Sequence, residues 1–418
     1  MEPYICIGSL FILGEILINL KSKYYNIIGK YLILFLFFFV AGLSYKIHND
    51  FQIYEMLYKY ININNIQKII FNYNIKEFGF LYLNILFNNI LSFECFKAFV
   101  YLINTFLIYK GIRYFFNEKD SLFILALLYL YGVFYFFYLP SFRQSISISI
   151  FIYSLQYLEK KDAFRYFLLS FIACLFHKSG VILFCLYFIF KYLKTSKKLL
   201  SIFYVLSIII YYFLDSFCLK ILNIIINFLG KFYPEFLSNK LYFGLNCIGS
   251  PREFIFYLLI FGTIIFYYSE KEDFFIKGCL FFHMFYILQK YISISYRIIL
   301  YFQIFFIFYL VILLQKISKE KVKVFFKYGL LLFIFLNFNI RFMLKHSLEG
   351  SYIPFHSSVE LFYKEIPYEE TAEYIHVQNR GKNPKDFIKR KTKNKGECNK
   401  KLTLIMMITK LNSRFSKK

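Results

Sequence analysis

The 418-residue chain contains no tryptophan, few prolines (7) and few histidines (6), and it carries half as many acidic as basic side chains, 25 Asp/Glu against 50 Lys/Arg. Its eight cysteines form no C-x-x-C pair and no ladder of paired spacings. That pattern argues against a disulfide framework and a closed zinc site, and most of the thiols fall in apolar segments, where cysteine packs as a small hydrophobe. Cys174 and His177 have a C-x-x-H spacing, but two ligands do not make a metal site. The start, Met1-Glu2, lacks a positively charged n-region, and no small-residue cleavage site follows Leu20. The first apolar segment therefore reads as a retained span and not a removed signal. Basic faces interleaved with aromatics, of the kind that grip nucleic acid, are also missing, so the net charge of +25 is not read as nucleic-acid binding.

What the chain has in abundance is apolar surface. It is 59% hydrophobic and 24% aromatic, with 40 Tyr and 59 Phe, where a soluble chain averages ~45–50% apolar. The apolar residues arrive in runs such as Leu34–Val40 (LFLFFFV) and Phe302–Leu314 (FQIFFIFYLVILL), too uniform for water-facing domains. The expected class is an all-α polytopic integral membrane protein with about 10–12 transmembrane helices. A span needs ~20 apolar residues, with ~17 as a lower limit. On that basis spans are predicted near 4–20, 29–45, 96–112, 121–139, 144–158, 164–176, 179–193, 199–214, 253–268, 274–289, 295–314 and 325–341. Gly79–Leu91 (GFLYLNILFNNIL) is apolar but short and Asn-rich, and reads as a re-entrant or interfacial helix, because backbone at that depth must satisfy its own hydrogen bonds.

Basic residues sort by connection. Twenty fall in one alternating set of short turns, among them Lys21 and Lys23, Lys160 and Lys161, Lys197 and Lys198, and Lys319 and Lys321. The positive-inside rule makes that set cytoplasmic and places the N-terminus and the longer connections, 46–78 and 215–252, outside. Residues 1–362 form the predicted membrane domain. The tail 363–418 holds 15 Lys/Arg against 6 Asp/Glu, a net +9, and reads as a basic, disordered extension.

Ionisable groups at membrane depth cost ~2.5–3.5 kcal/mol each on insertion scales and are usually functional. Arg143 and Gln144 sit at the predicted outer mouth of span five, His177 and Lys178 in the tight outer turn between spans six and seven, and Arg297 just inside span eleven. Guanidinium groups at such a mouth suit phosphate or diphosphate, and a neighbouring histidine suits proton chemistry. Taken singly, the arginines read as snorkelling to headgroups and His177 as capping a turn. Their convergence on one face favours a site. Asp50, Tyr54 and Glu77 lie in the predicted outer loop, where acids and aromatics suit sugar hydroxyls and ring faces, or simply make an amphipathic surface helix. Glu15, inside span one, has no evident partner in the sequence.

These residues resemble the EpsG family of membrane polysaccharide polymerases, which is similar to Wzy-type O-antigen polymerases. The best match is Ser141–Phe184 (SFRQSISISIFIYSLQYLEKKDAFRYFLLSFIACLFHKSGVILF): an arginine, a small-residue helix, a Lys-Lys turn, then Phe-His-Lys-Ser before the next helix. SYRIILYF, from Ser295, resembles the family's late Arg-x-x-x-Tyr-Phe; Asp50 with Tyr54, Glu77-Phe78-Gly79-Phe80 and Tyr352-Ile353-Pro354-Phe355 are lesser matches. One departure is Ser44, in Gly42-Leu43-Ser44-Tyr45, where the family carries an arginine; Lys46 is the nearest replacement charge. The resemblance implies a glycosyltransferase that joins oligosaccharide repeat units carried on polyprenyl diphosphate into exopolysaccharide, capsule or O-antigen, at the outer face of the cytoplasmic membrane. It implies no cofactor, no nucleotide sugar and no obligatory metal, with the lipid bilayer and other polysaccharide-assembly proteins as partners. Arg143, His177 and Arg297 are then the expected catalytic residues, and Asp50, Tyr54, Glu77, Gln144 and Lys178 the substrate-binding ones. The rival readings are a flippase for the lipid-linked oligosaccharide, which would line a mid-membrane path with inverted repeats, a membrane O-acyltransferase, and an assembly subunit without activity.

Overall fold

The computed structural model describes residues 2–45, 50–64, 66, 77–131, 141–221, 224, 251–292, 295–336 and 356–357. Its helices, in chain order, are α1 (Glu2–Asn19), α2 (Lys23–Gly42), α3 (Asp50–Tyr60), α4 (Phe78–Phe87), α5 (Phe93–Phe115), α6 (Glu118–Leu130), α7 (Phe142–Glu159), α8 (Ala163–Phe176), α9 (Ile182–Tyr192), α10 (Lys197–Phe213), α11 (Pro251–Phe266), α12 (Asp273–Leu288), α13 (Ser295–Gln315) and α14 (Glu320–Ile334). A two-residue antiparallel pair, β1 (Ser44–Tyr45) with β2 (His356–Ser357), ties the segment after α2 to a point far along the chain. The fold is that of an all-α polytopic membrane protein.

A helix lies under each of the twelve predicted spans. Among the described residues, three are both long and apolar enough to cross a bilayer unaided, α2, α5 and α13. A fourth candidate is α10 joined to a short helix, Asp215–Ile221, across a 93° bend. The 10-residue α4 extends only ~15 Å at 1.5 Å per residue, about half of a hydrocarbon core, which agrees with its reading as re-entrant or interfacial. Its C-terminal end is anchored to α3 and the residue after it: Asn88 donates to the Ile61 carbonyl, and the Tyr58 hydroxyl donates to the Leu91 carbonyl.

The long helices differ in how much of themselves they hide. In α13, 78% of the apolar window is buried, against 39% in α2. Helix α13 is therefore the axis of the bundle, with Phe302, Phe305 and Phe308 packed against aromatic rings from α5 and α12. Helix α2 presents Tyr31 and Phe35 outward, as a lipid-facing helix does. Between α5 and α7 the backbones nearly touch: a Cβ on Gly111 would stand 2.5 Å from the Ile152 carbonyl oxygen, so only glycine permits the crossing. Local signals start the helices. Ser92, Asn117, Asp162 and Ser196 each accept a hydrogen bond from a backbone N–H three residues on.

Some of the buried charges among the described residues have ionic partners. Glu15, fully buried in α1, meets Lys327 of α14 at 2.9 Å, a partner invisible in sequence because 312 positions separate them. Lys277 pairs with Asp273 one turn earlier in α12 at 2.6 Å and donates to the Phe190 carbonyl. Such pairs hold helices in register; removing one partner leaves a charge without compensation in a low-dielectric interior.

Candidate functional site

One end of the bundle gathers five chain segments. Helix α7 begins at Phe142, α13 begins at Ser295, α8 ends at Phe176, and α3 and α4 lie alongside. Between α8 and α9 runs a single 3-10 turn, Lys178–Val181, with His177 at its N-terminus. Gly180 keeps this turn close to α7: a Cβ there would stand 3.1 Å from the Ser147 hydroxyl.

Arg143 occupies the second position of α7 and Arg297 the third of α13, and neither helix has an acidic residue in its first turn. The Arg143 guanidinium pairs with Glu77 at 2.7 Å, donates to the Tyr54 hydroxyl at 3.4 Å and lies 5.7 Å from the centre of the Tyr54 ring. Tyr54 is itself fixed by edge contacts with Phe80 and Phe142. Arg297 donates to the Tyr296 hydroxyl at 3.1 Å. Gln144 stitches the two helix starts together by donating to the Arg297 carbonyl at 2.7 Å.

His177 stands between these groups, 6% exposed. Burial pushes its imidazole from the ordinary 6.5 down to about 3, and the positive charges of Arg297, Arg143 and Lys178 act in the same direction. The ring is therefore neutral at any physiological pH. Its Nδ1 accepts from the Ser179 backbone N–H at 3.2 Å and lies 2.6 Å from the Ser179 hydroxyl. That hydroxyl is 3.0 Å from the Tyr301 hydroxyl, which is 2.8 Å from the Ser147 hydroxyl.

The structure thus brings together Arg143, Gln144, His177, Lys178, Arg297, Tyr54 and Glu77. Asp50 opens α3, but its side chain is outside the described residues, as are Lys46, Tyr352–Phe355 and the whole of 363–418. Ser147, Ser179 and Tyr301 were not assigned roles from sequence. A usable signal existed: Tyr301 lies one helical turn beyond Arg297, and Ser179 two residues beyond His177. Another group had no sequence signal. Lys97, buried in the first turns of α5, donates to both the carbonyl and the hydroxyl of Ser44 and sits 5.0 Å from the Phe51 ring. The buried Lys97 amine therefore holds the Ser44 segment by two hydrogen bonds. Among the described residues no cluster of three or more His, Cys, Asp or Glu side chains is arranged to hold a metal ion.

With this geometry in hand, comparison with known families is decisive. The model of the EpsG family matches residues 10–357. The chain belongs to the EpsG family. The match runs from within α1 to β2 and so covers every element that builds the site. Membership implies a membrane-embedded, polysaccharide-polymerase-like role. No curated protein and no solved structure matches the chain.

Proposed function

We propose that this EpsG-family chain is a glycosyltransferase of the cytoplasmic membrane, joining oligosaccharide repeat units carried on polyprenyl diphosphate into exopolysaccharide, capsule or O-antigen. The observation that carries the reading is the convergence of Arg143 and Arg297, at the starts of two adjacent helices, on the buried His177. A helix N-terminus bears a partial positive charge, so a cation in its first turn favours an anion nearby; at α7 Glu77 supplies one negative charge, and a bound diphosphate would meet the remainder. Two guanidiniums at two adjacent helix starts, both near His177, suit a phosphate-rich group. A diphosphate leaving group needs such a site, because negative charge develops on it as the glycosidic bond breaks.

In this reading Arg143 and Arg297 hold the diphosphate, with Lys178 adding to the local positive potential. His177 hydrogen-bonds to the reacting oxygens. Asp50, Tyr54 and Glu77 line the approach, where an aromatic ring and carboxylates suit the sugars of donor and acceptor chains. The excess of basic turns at the opposite end of the bundle supports an outward-facing site. The polyprenyl tail takes the exposed apolar faces of the shorter helices, such as Leu168 and Phe171 on α8. The route requires neither a nucleotide sugar nor a metal, since the activated bond is the glycosyl diphosphate itself. Other polysaccharide-assembly proteins supply the lipid-linked units.

The test is polymer formation in membranes carrying Arg143→Ala or His177→Ala protein at wild-type levels. Loss of high-molecular-weight polymer with accumulation of single repeat units is expected. Full-length polymer from both variants would overturn the assignment.

A further inference from the structure

The polar chain behind His177 determines which of its nitrogens carries the proton. A nitrogen that accepts from a backbone N–H carries no proton of its own, so Nδ1 is an acceptor for Ser179 N–H and equally for the Ser179 hydroxyl 2.6 Å away. Having donated to Nδ1, the Ser179 hydroxyl accepts from Tyr301, and Tyr301 accepts from Ser147. Both Ser147 and Tyr301 are fully buried. Ser179 and Tyr301 each donate once and accept once, Ser147 donates at the far end, and every donation runs toward Nδ1. The single proton of the neutral imidazole is therefore on Nε2. A ring in that state presents a donor to the site and has no lone pair there to take a proton.

We infer that His177 serves as a hydrogen-bond donor through Nε2–H to the departing diphosphate oxygen, not as a general base, and that Tyr301, backed by Ser147 and Ser179, is the positioning residue that fixes this tautomer. The inference rests on the polymerase reading above. In the step, the acceptor hydroxyl oxygen forms a bond to the anomeric carbon, and the bond from that carbon to the diphosphate oxygen breaks with its electron pair on the diphosphate. The acceptor's proton ends on the released polyprenyl diphosphate, and Nε2 keeps its own throughout. A preorganised donor of this kind is worth ~10²–10³ in rate where charge develops on oxygen.

Two substitutions separate donor from base. The amide nitrogen of His177→Gln can stand near the position of Nε2 and donate, but it has no basicity. Initial rates are measured on purified full-length protein in proteoliposomes with lipid-linked repeat units, at equal amounts of folded protein. His177→Gln is expected to run at least about tenfold faster than His177→Ala. Tyr301→Phe is expected to lower kcat about tenfold at unchanged KM, and to add nothing when combined with His177→Ala. A second readout is independent of turnover: in ¹⁵N-histidine spectra, His177 should show an unprotonated Nδ1 and a protonated Nε2, and Tyr301→Phe should shift the Nδ1 resonance because the Ser179 hydroxyl on it is no longer oriented from behind. Equal inactivity of the Gln and Ala variants, or a proton found on Nδ1, overturns the inference while leaving the polymerase site standing. Wild-type rates from His177→Ala overturn both.

Discussion

Two buried histidines sit in this molecule in opposite kinds of surroundings. His283, in the middle of α12, is 1% exposed and lies flat on Phe261, with ring centres 4.8 Å apart, and against Phe254 and Phe203. Its Nε2 meets the Ser207 hydroxyl at 3.1 Å, whose own hydrogen goes to the Tyr204 carbonyl, and its Nδ1 has no partner among the described residues. It is an aromatic plate in an aromatic stack, tied down by one serine. His177 is almost as buried, but it lies at a turn near the charges of Arg143, Arg297 and Lys178, with its Nδ1 held by Ser179. Burial alone makes a core histidine. A ring surrounded by cations, with its orientation fixed from behind by hydroxyls, has the arrangement of a working one.

The comparison can be broken by substitution. The largest effect is expected at His177, where alanine should reduce polymerisation per folded molecule by ~10²–10³ with little change in thermal midpoint. His283→Phe, which keeps the stack, should leave polymerisation within about twofold, and His283→Ala should lower stability by roughly 2–4 kcal/mol through the cavity it opens. A His283→Ala protein that is normally stable but inactive would reverse the two roles.

A smaller effect is expected at the Arg143–Glu77 pair, in which the carboxylate is buried and the guanidinium partly exposed. Arg143→Gln removes a proposed diphosphate-binding group and also leaves the Glu77 carboxylate buried without its cation, so it should lower both activity and the amount of folded protein. Adding Glu77→Gln should restore the protein level, read by detergent-resistant monomer on size-exclusion chromatography, while activity stays low. Recovery of both together would make the pair purely structural.

The pH profile should show a gentler signature. Because the folded-state pKa of His177 is depressed, the unfolded chain binds a proton below 6.5 that the folded chain refuses until about 3. This histidine's contribution to stability is thus constant above 6.5 and falls as the pH drops below it. Activity should show no inflection near 6.5, where an ordinary histidine would titrate. Arg297→Gln removes the strongest of the three neighbouring charges and should move the acid limb upward. The smallest effect belongs to Gly180→Ala, whose added Cβ meets the Ser147 hydroxyl and the Cys174 backbone nitrogen at 3.1 Å each; a fall in rate of a few-fold without loss of protein is expected.

Much of the architecture could be read from the chain because membrane helices announce themselves by uninterrupted apolar length. Runs such as Phe302–Leu314 leave no other structure open in a bilayer, and the short Asn-rich segment that became α4 declared itself by its brevity. Arg143, His177 and Arg297 were visible as charges out of place, and the structure puts them at one end of the bundle. What could not be read were pairings across long stretches of sequence. Glu15 with Lys327, Glu77 with Arg143 and Lys97 with Ser44 depend on which helices become neighbours, and hydrophobic periodicity carries no such information. The serine–tyrosine chain was hidden for another reason. Serines in a small-residue helix such as SISISI ordinarily bond to their own backbone, as Ser149 does to the Ser145 carbonyl, and only the packing of α13 gives Ser147 a different partner.

The central claim is that the cationic end of the bundle breaks a glycosyl diphosphate bond. The most direct measurement supplies purified protein in proteoliposomes with a lipid-linked repeat unit and follows polymer length and free polyprenyl diphosphate together. Wild-type protein should produce a ladder of polymer and release one polyprenyl diphosphate per unit added, and His177→Ala should produce neither. Movement of the lipid-linked unit across the bilayer without chain growth or diphosphate release would contradict the account.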